Sequence, residues 1–451
     1  MVFCRLIEKK RCWSIFVQIV FLMICIFCFF SGVCDAKNAI KIGVIGPMKF
    51  PAGEHMFYGA EMAADEINSI GGVNLNGENY DIELIKTDSN EYLSIPDAVS
   101  SFEKLVSVNK VDFIVGGGRS EAILAQMELM GENKIIYIMA GGGSPKLCEQ
   151  VAKDYDKHKY FFRFSTPNSA NQVKTVSTLL DLSGKEIRKQ LGIEKPKVAL
   201  LMEKAVWADA MVNVGNNIIP KLGMEIVGVW RPSPKANDLT SELTSIKDSG
   251  AHIIFHVFSG PAGIVFGKQW GELQIPAAPV GVNIESQQQK YWETTDGMCE
   301  YEAEMNAIVR ADVTSKTVSF FDNYYKKTGE WPFYSTMGPY DAVYFLKEAI
   351  EKVATLDSDT IVAELEKSKY EGVAGTIAFY PKDHKWPHDL IYGPNYSTCF
   401  GVQWIDGKHV AIWPNGKIKP LGELGDWENY KLKGVAEYQL PPFMLEYWKK
   451  K

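Results

Sequence analysis

The chain has 451 residues, 46% of them hydrophobic, which is enough for two or three domains with sizeable cores and too apolar for a disordered or fibrous protein. Its formal net charge is -7, and Lys and Arg are scattered with no long basic run. That distribution argues against a nucleic-acid footprint and for small solutes as partners.

The N-terminus carries Arg5, Lys9, Lys10 and Arg11, then an apolar run from Trp13 to Phe30 broken only by Ser14 and Gln18. This pattern is that of an export signal over residues 1–36. Cleavage after Ala36 puts Cys34 and Ala36 at the two small-residue positions and starts the mature chain near Lys37. Two alternatives stay open: lipidation of Cys34 in Ser31-Gly32-Val33-Cys34, and retention of the apolar run as an uncleaved membrane anchor. Five of the eight cysteines belong to this leader region, leaving Cys148, Cys299 and Cys399. No Cys-x-x-Cys spacing occurs, so buried, unreactive thiols are expected, with at most one disulfide.

After the leader, residues 40–45 read as a strand ending at Gly46-Pro47, and residues 58–70 as a helix stopped by Gly71-Gly72. A strand over 80–85, a helix over 96–108, a strand over 111–115, a helix over 122–130 and a strand over 134–139 follow. Strands alternating with helices in this way predict a parallel, helix-covered sheet. Two of these strands stop abruptly at glycines, in Gly116-Gly117-Gly118-Arg119-Ser120 and in Ala140-Gly141-Gly142-Gly143-Ser144. Glycine lets backbone approach a bound molecule, and each run ends in a Ser suited to open a helix, so the pair predicts one ligand-cradling edge.

The rhythm restarts after Pro167. Strands are predicted at 197–202, 225–230, 251–258 and 278–283, with helices at 208–222, 239–247 and 263–270 between them. Helical patterns at 314–327, 340–352 and 358–367 follow, then short strands at 376–380, 398–405 and 410–413. Glu300, Glu302 and Glu304 alternate like a solvated strand face, and the stretch after Trp413 gives no assignment. Two tandem α/β units to which the chain returns are therefore expected.

The element order, with Ile42-Gly43-Val44-Ile45-Gly46-Pro47, Gly59-Ala60, Ala64-Asp65-Glu66-Ile67-Asn68, Gly71-Gly72-Val73 and Asp88, resembles the branched-chain amino acid (Leu/Ile/Val) type of periplasmic substrate-binding protein. Phe162-Arg163-Phe164-Ser165-Thr166-Pro167 is similar to that family's first crossing between lobes, and the similarity runs from about residue 40 to 404. The resemblance implies two Rossmann-like α/β lobes joined by three hinge crossings. They comprise 37–164 with 300–375, and 165–299 with 376–425, followed by a tail at 426–451. It further implies closure on a small solute, delivery to a membrane ABC permease, and a monomer without cofactor, metal or covalent chemistry.

On the same resemblance, Ser120 and Gly141, Gly142, Gly143 and Ser144 hold a ligand carboxylate, and the unpaired N–H groups of helix starts suit that placement. Arg119 is a second carboxylate partner, able to grip two oxygens. Trp207 and Phe258 match ligand-facing aromatic positions of the second lobe that usually carry Tyr. The family's ammonium-pairing acid falls on Asn283, with Glu285 two residues on. A buried ammonium needs a counter-charge. Either Glu285 substitutes, or the ligand lacks an amino group and is an aliphatic or aromatic carboxylate or an amide. Tyr340 matches a cleft-edge position, and Phe50 lies in the first loop, residues 48–54, which in this family covers the ligand and is slightly longer here, so that Lys49 and His55 are rivals of Phe50.

Enzymatic motifs are absent from the sequence. Gly263 to Gln269 approaches a phosphate loop, but its first Gly is one place too close to Gly267-Lys268 and Gln269 replaces the magnesium-holding Ser or Thr. There is no Gly-x-Ser-x-Gly elbow. The pairs His252/His256 and His384/His388 lack a third metal ligand and read as packed or solvated side chains. The sequence therefore predicts a non-enzymatic, exported binding protein. A ligand sensor for a membrane receptor and an exported α/β enzyme are the rival readings.

Overall fold

Apolar runs that end in glycine become parallel strands in a computed structural model, which describes residues 38–451 apart from 395, 422 and 424. The expectations for residues 1–36 lie outside the described residues. Among the described residues, no helix is long and apolar enough to cross a membrane.

The first lobe is built on β1 (Ala39–Gly46), β2 (Val73–Leu75), β3 (Glu78–Asp88), β4 (Phe113–Gly116), β5 (Ile136–Met139) and β6 (Phe161–Arg163). These form one sheet in the order β2-β3-β1-β4-β5-β6, with β1, β4, β5 and β6 parallel. The second sheet contains β7 (Lys197–Met202), β8 (Glu225–Trp230), β9 (Ile253–Phe258), β10 (Ala278–Asn283) and β11 (Ala303–Asn306). A two-stranded ribbon of β12 (Tyr370–Gly372) and β13 (Gly375–Ile377) precedes β14 (Phe400–Ile405) and β15 (Lys408–Trp413). The last two add antiparallel to the edge of the second sheet, whose order is β15-β14-β11-β10-β9-β7-β8. The chain thus passes between the sheets three times, after β6, after β11 and after β13.

Helix α1 (Pro51–Ser69) begins seven residues before its apolar periodicity does. Pro51 presets φ at the first helical position and Glu54 lies in the first turn, so the expected loop over 48–54 shrinks to a turn ending at Phe50. Helices α2 (Ile95–Lys104), α3 (Ser120–Asn133) and α4 (Lys146–Lys153) flank the first sheet. Helix α5 (Ser169–Leu191) then runs 23 residues across the second lobe, capped by the Asn168 side chain. Its buried face includes Asn171, Gln172, Thr175, Ser177 and Thr178, and that polarity hides its helical periodicity in the sequence. Helices α6 (Val206–Ile218), α7 (Thr240–Asp248) and α8 (Ala262–Glu272) complete the second α/β unit.

Helices α9 (Thr317–Thr328), α10 (Tyr334–Val353) and α11 (Ser358–Lys367) return to the first lobe. There Val343, Phe345 and Leu346 join Ile42, Val44 and Phe113 in one core. The final segment, with Trp427, Tyr438 and helix α12 (Pro442–Lys449), lies on the second lobe. Trp427, Tyr438 and Met444 share a core with Val176, Leu200 and Phe255, and the Trp448 indole donates to Pro276 O at 2.6 Å.

Candidate ligand-binding cleft

The glycine edge is held tightly. Gly116 and Gly117 have φ of +122° and +77°, and a Cβ at Gly116 would lie 2.0 Å from Ile45 O. A Cβ at Gly141 would lie 2.8 Å from Gly118 Cα, so the two glycine runs touch backbone to backbone. Beneath them the fully buried Arg163 pairs with the fully buried Asp389 at 2.9 Å. Arg163 also donates to the carbonyls of Gly142 and of Ser144, the latter at 2.7 Å. Ser120 Oγ accepts from Ser144 N at 3.1 Å, which ties the start of α3 to the second run.

At this edge the chain supplies its own carboxylate. Glu91, 1% exposed, accepts from Gly118 N at 2.8 Å, and the Arg119 N–H contributes as well. Burial outweighs these bonds and raises the Glu91 carboxyl to about 7. The Arg119 guanidinium is committed too, donating to Tyr92 O at 3.1 Å and pairing with Glu121 at 3.2 Å.

Two phenols project beside this carboxylate, Tyr92 after β3 and Tyr334 at the start of α10. Neither hydroxyl has a hydrogen-bond partner among the described residues, although Tyr334 is only 6% exposed. Phe50 packs edge-on against Tyr92 at 5.1 Å between ring centres. Burial raises the pKa of both phenols, and the charges of Glu91 and Glu285 raise it further. Glu285 comes from the second lobe, so both lobes act on the same two rings.

On the second lobe, Trp207 lies in the first turn of α6, with its Cβ and Cε3 3.6 Å from where a Gly143 Cβ would be. Buried Glu203 fixes the ring by accepting from Trp207 Nε1 at 2.8 Å, and it also accepts from Ser259 N at 2.9 Å and from the Ser259 hydroxyl. Burial raises the Glu203 pKa against these donors. Glu285 is half-buried and its pKa is also raised by burial. Its Oε2 accepts from Gln288 at 2.8 Å, and among the described residues Gln288 is its one donor.

The lobes touch around this space. Val206 N donates to Glu121 at 3.4 Å, Lys290 pairs with Glu330 at 2.6 Å, and Ile284 packs against cores of both lobes. A groove of about 480 Å³ opens between Ser144 to Glu149 and the face of α6, with Arg231 at its rim.

The predicted site residues divide. Phe50, Arg119, Ser120, Gly141 to Ser144, Trp207 and Glu285 border the cleft, though Arg119 is paired within the protein. Phe258 points the other way, fully buried against Phe266 in a core under α8, because even-numbered residues of β9 face that side. Asn283 is fully buried and donates to Gly263 O, Tyr291 Oη and Glu302. Tyr340 of α10 is packed against α1 and α9, donating to Glu66 at 2.7 Å with its ring 4.8 Å from that of Phe320. The helix opens at Tyr334 instead, running through Pro339 in its second turn.

Lys49 pairs with Asp88, and His55 is packed between Tyr324 and Phe333. Glu302 and Glu304 are not a solvated face but fully buried, paired with His256 and His409. His388 is buried, stacked on Phe162. The three cysteines are buried and free.

Sequence reasoning missed Glu91, Tyr92, Glu203 and Tyr334. Each lies within four residues after a strand or at a helix start, so inspection of strand ends beyond the glycine runs would have reached the first three.

A family model described as periplasmic binding protein matches residues 39–393. A Leu/Ile/Val-binding protein homolog 7 of Brucella abortus is 23% identical over 400 residues, covering 85% of this chain and 94% of that protein. Solved structures with the same fold include a branched-chain amino acid transporter binding protein from Streptococcus pneumoniae in complex with isoleucine. It has a TM-score of 0.68 and 20% identity, covering 82% of this chain and 98% of that one. A solute-binding protein of an ABC transporter from R. palustris in complex with benzoate aligns at TM-score 0.65 and 17% identity, covering 83% and 96%.

Proposed function

The chain belongs to the periplasmic binding protein family, and on that premise we propose that it captures a small solute outside the cytoplasm and presents it to a membrane ABC permease. Relatives and fold neighbours named as Leu/Ile/Val-binding or ABC-transporter solute-binding proteins support the transport role. The observation that carries the capture reading is the set of polar groups near the junction of the lobes that have no protein partner among the described residues: the Tyr92 and Tyr334 hydroxyls and one oxygen of Glu285. Polar groups with no protein partner that line a cleft are open to a ligand, which can orient on them. Phe50, Trp207 and the two phenol rings suit an apolar or aromatic body.

Ser120 and the backbone of Gly141 to Ser144 border one side of the ligand, and Trp207 and Glu285 border the other. Of the ligand classes the sequence left open, an amino acid or an amide offers Glu285 a donor, whereas a plain carboxylate does not. Closure needs no covalent step: it excludes water, which strengthens each polar contact. The test is a thermal-shift screen of unfolded and refolded protein, free of copurified ligand, against amino acids, amides and carboxylates. A true ligand at about 100 times its Kd adds roughly 2.7 kcal/mol of stability. No stabilisation by any class would remove the capture reading.

A further inference from the structure

A side chain of the first lobe completes a helix of the second. Helix α6 opens at Val206 behind Ala205, whose methyl group has no oxygen to accept the first N–H groups of the helix. The acid in its first turn, Asp209, is spent on Arg231 at 2.8 Å. The Val206 N–H donates across the junction of the lobes instead, to Glu121 Oε1 of α3 at 3.4 Å. Arg119 aims that carboxylate. Its Nη1 donates to the carbonyls of Tyr92 at 3.1 Å and Glu91 at 3.4 Å, and its Nε donates to Glu121 Oε2 at 3.2 Å, which leaves Oε1 for α6. Glu121 therefore stands where a capping carboxylate stands at other helix starts, facing the positive end of the helix dipole, but it belongs to the opposite lobe.

The next residue of α6 shows what this contact positions. Trp207 has its Nε1 held by Glu203 at 2.8 Å, and its Cβ and Cε3 lie 3.6 Å from the point that a Gly143 Cβ would occupy. The indole and the glycine edge of the first lobe are thus within ordinary van der Waals reach of each other. We propose that Glu121 is a positioning residue for capture: as an N-cap supplied from the opposite lobe, it latches α6 onto the first lobe and sets Trp207 against the glycine edge before any ligand enters. The inference rests on the capture reading above and adds to it how the closed form is held. Arg119, which could have gripped a ligand carboxylate, serves here to orient a carboxylate of the protein. A single cap is a latch that opens readily, since an ordinary one biases an equilibrium roughly fivefold.

A disulfide reads this closure without a ligand. The 3.6 Å between the Gly143 and Trp207 Cβ positions lies within the range that a disulfide spans, and Cys148, Cys299 and Cys399 are buried. The parent for the assay is the double variant Gly143→Cys/Trp207→Cys, refolded free of copurified ligand. Its cross-linking rate in a fixed glutathione buffer is followed by peptide mapping of the 143–207 bond, beside the melting temperature of the reduced protein. Adding Glu121→Ala should slow cross-linking about fivefold, and at least threefold. Adding Ala205→Asp as well gives α6 a cap of its own, so it should regain any melting temperature lost with Glu121 but not the rate. A rate within twofold of the parent in Glu121→Ala, a rate restored by Ala205→Asp, or a parent that never cross-links would each overturn the latch. All three outcomes leave the capture reading standing, because the ligand screen tests that on the native chain; silence in the screen removes capture whatever the cross-link shows.

Discussion

Replacing Arg163 by Met tests whether the glycine edge is held from beneath. Arg163 and Asp389 are both fully buried and 2.9 Å apart, and Asp389 also accepts from Asn168 Nδ2 at 2.9 Å and Leu390 N at 2.9 Å. Removing the guanidinium leaves a buried carboxylate without its counter-charge, which costs about 3–5 kcal/mol. It also deprives the Gly142 and Ser144 carbonyls of charge-assisted donors, each contributing about 1.5–3 kcal/mol at most. These losses overlap, and since whole-protein stability is about 5–15 kcal/mol, the variant should unfold at much lower urea, with a loss of at least 3 kcal/mol. Asp389→Asn removes the charge but keeps an oxygen for Asn168 and Leu390.

Combining the two substitutions removes both charges, so the double variant should lose less than the sum of the singles, by about 0.5–3 kcal/mol. The assay is equilibrium urea unfolding followed by far-UV circular dichroism, with the slope checked for constancy across the four proteins. An Arg163→Met variant within 1 kcal/mol of the parent would refute the buried-charge argument. Strict additivity would refute the coupling.

Trp207→Ala should weaken capture of the best ligand found in the thermal-shift screen by roughly 1–3 kcal/mol through lost apolar burial, read by calorimetry; an unchanged Kd takes Trp207 out of the site. Gly143→Ala should fold normally, because its Cβ would meet Trp207 at 3.6 Å, whereas Gly59→Ala should destabilise strongly, because its Cβ would lie 2.1 Å from Thr336 O. Equal melting temperatures for the two would contradict the packing. Burial raises Asp341 to about 7 from an ordinary 3.8. Its folded-state value lies above its unfolded one, so its contribution is complete below about pH 4 and lost as pH rises through 7, at up to about 1.4 kcal/mol per unit. Asp341→Asn keeps an acceptor for Val373 N and should flatten the stability profile over pH 4–7; a profile as steep as the parent's would locate the titration elsewhere.

The alternation of strands and helices was legible because the central strands are continuous apolar runs buried on both faces, which leave little ambiguity about their ends. The central strands β7 and β10 fall on the residues their runs predict, and so does the more exposed edge strand β8. Helix α5 was illegible because its apolar stripe of Val173, Val176, Leu180 and Ile187 is interleaved with equally buried Ser, Thr, Asn and Gln, some of which bond within the lobe. The glycine edge was visible because φ > 0 and backbone contact restrict the residue type. Phe258 and Asn283 were misjudged for one reason: both end strands near the cleft, yet the parity of a strand decides which face a side chain takes, and one sequence does not show that parity's direction. Glu91 and Tyr334 reach the cleft from segments far apart in the chain, so only the tertiary arrangement unites them.

The tail on the second lobe has a consequence for biogenesis. Trp427, Tyr438 and Met444 share a core with strands made roughly 200 positions earlier, and β14 and β15 finish that sheet only after the chain has returned to the first lobe and left it again. The first lobe likewise waits for α10 and β13. Contacts of such long sequence separation form slowly. Neither lobe can complete its core before these late segments have been made, so each sheet stays open on one side until the chain returns to it.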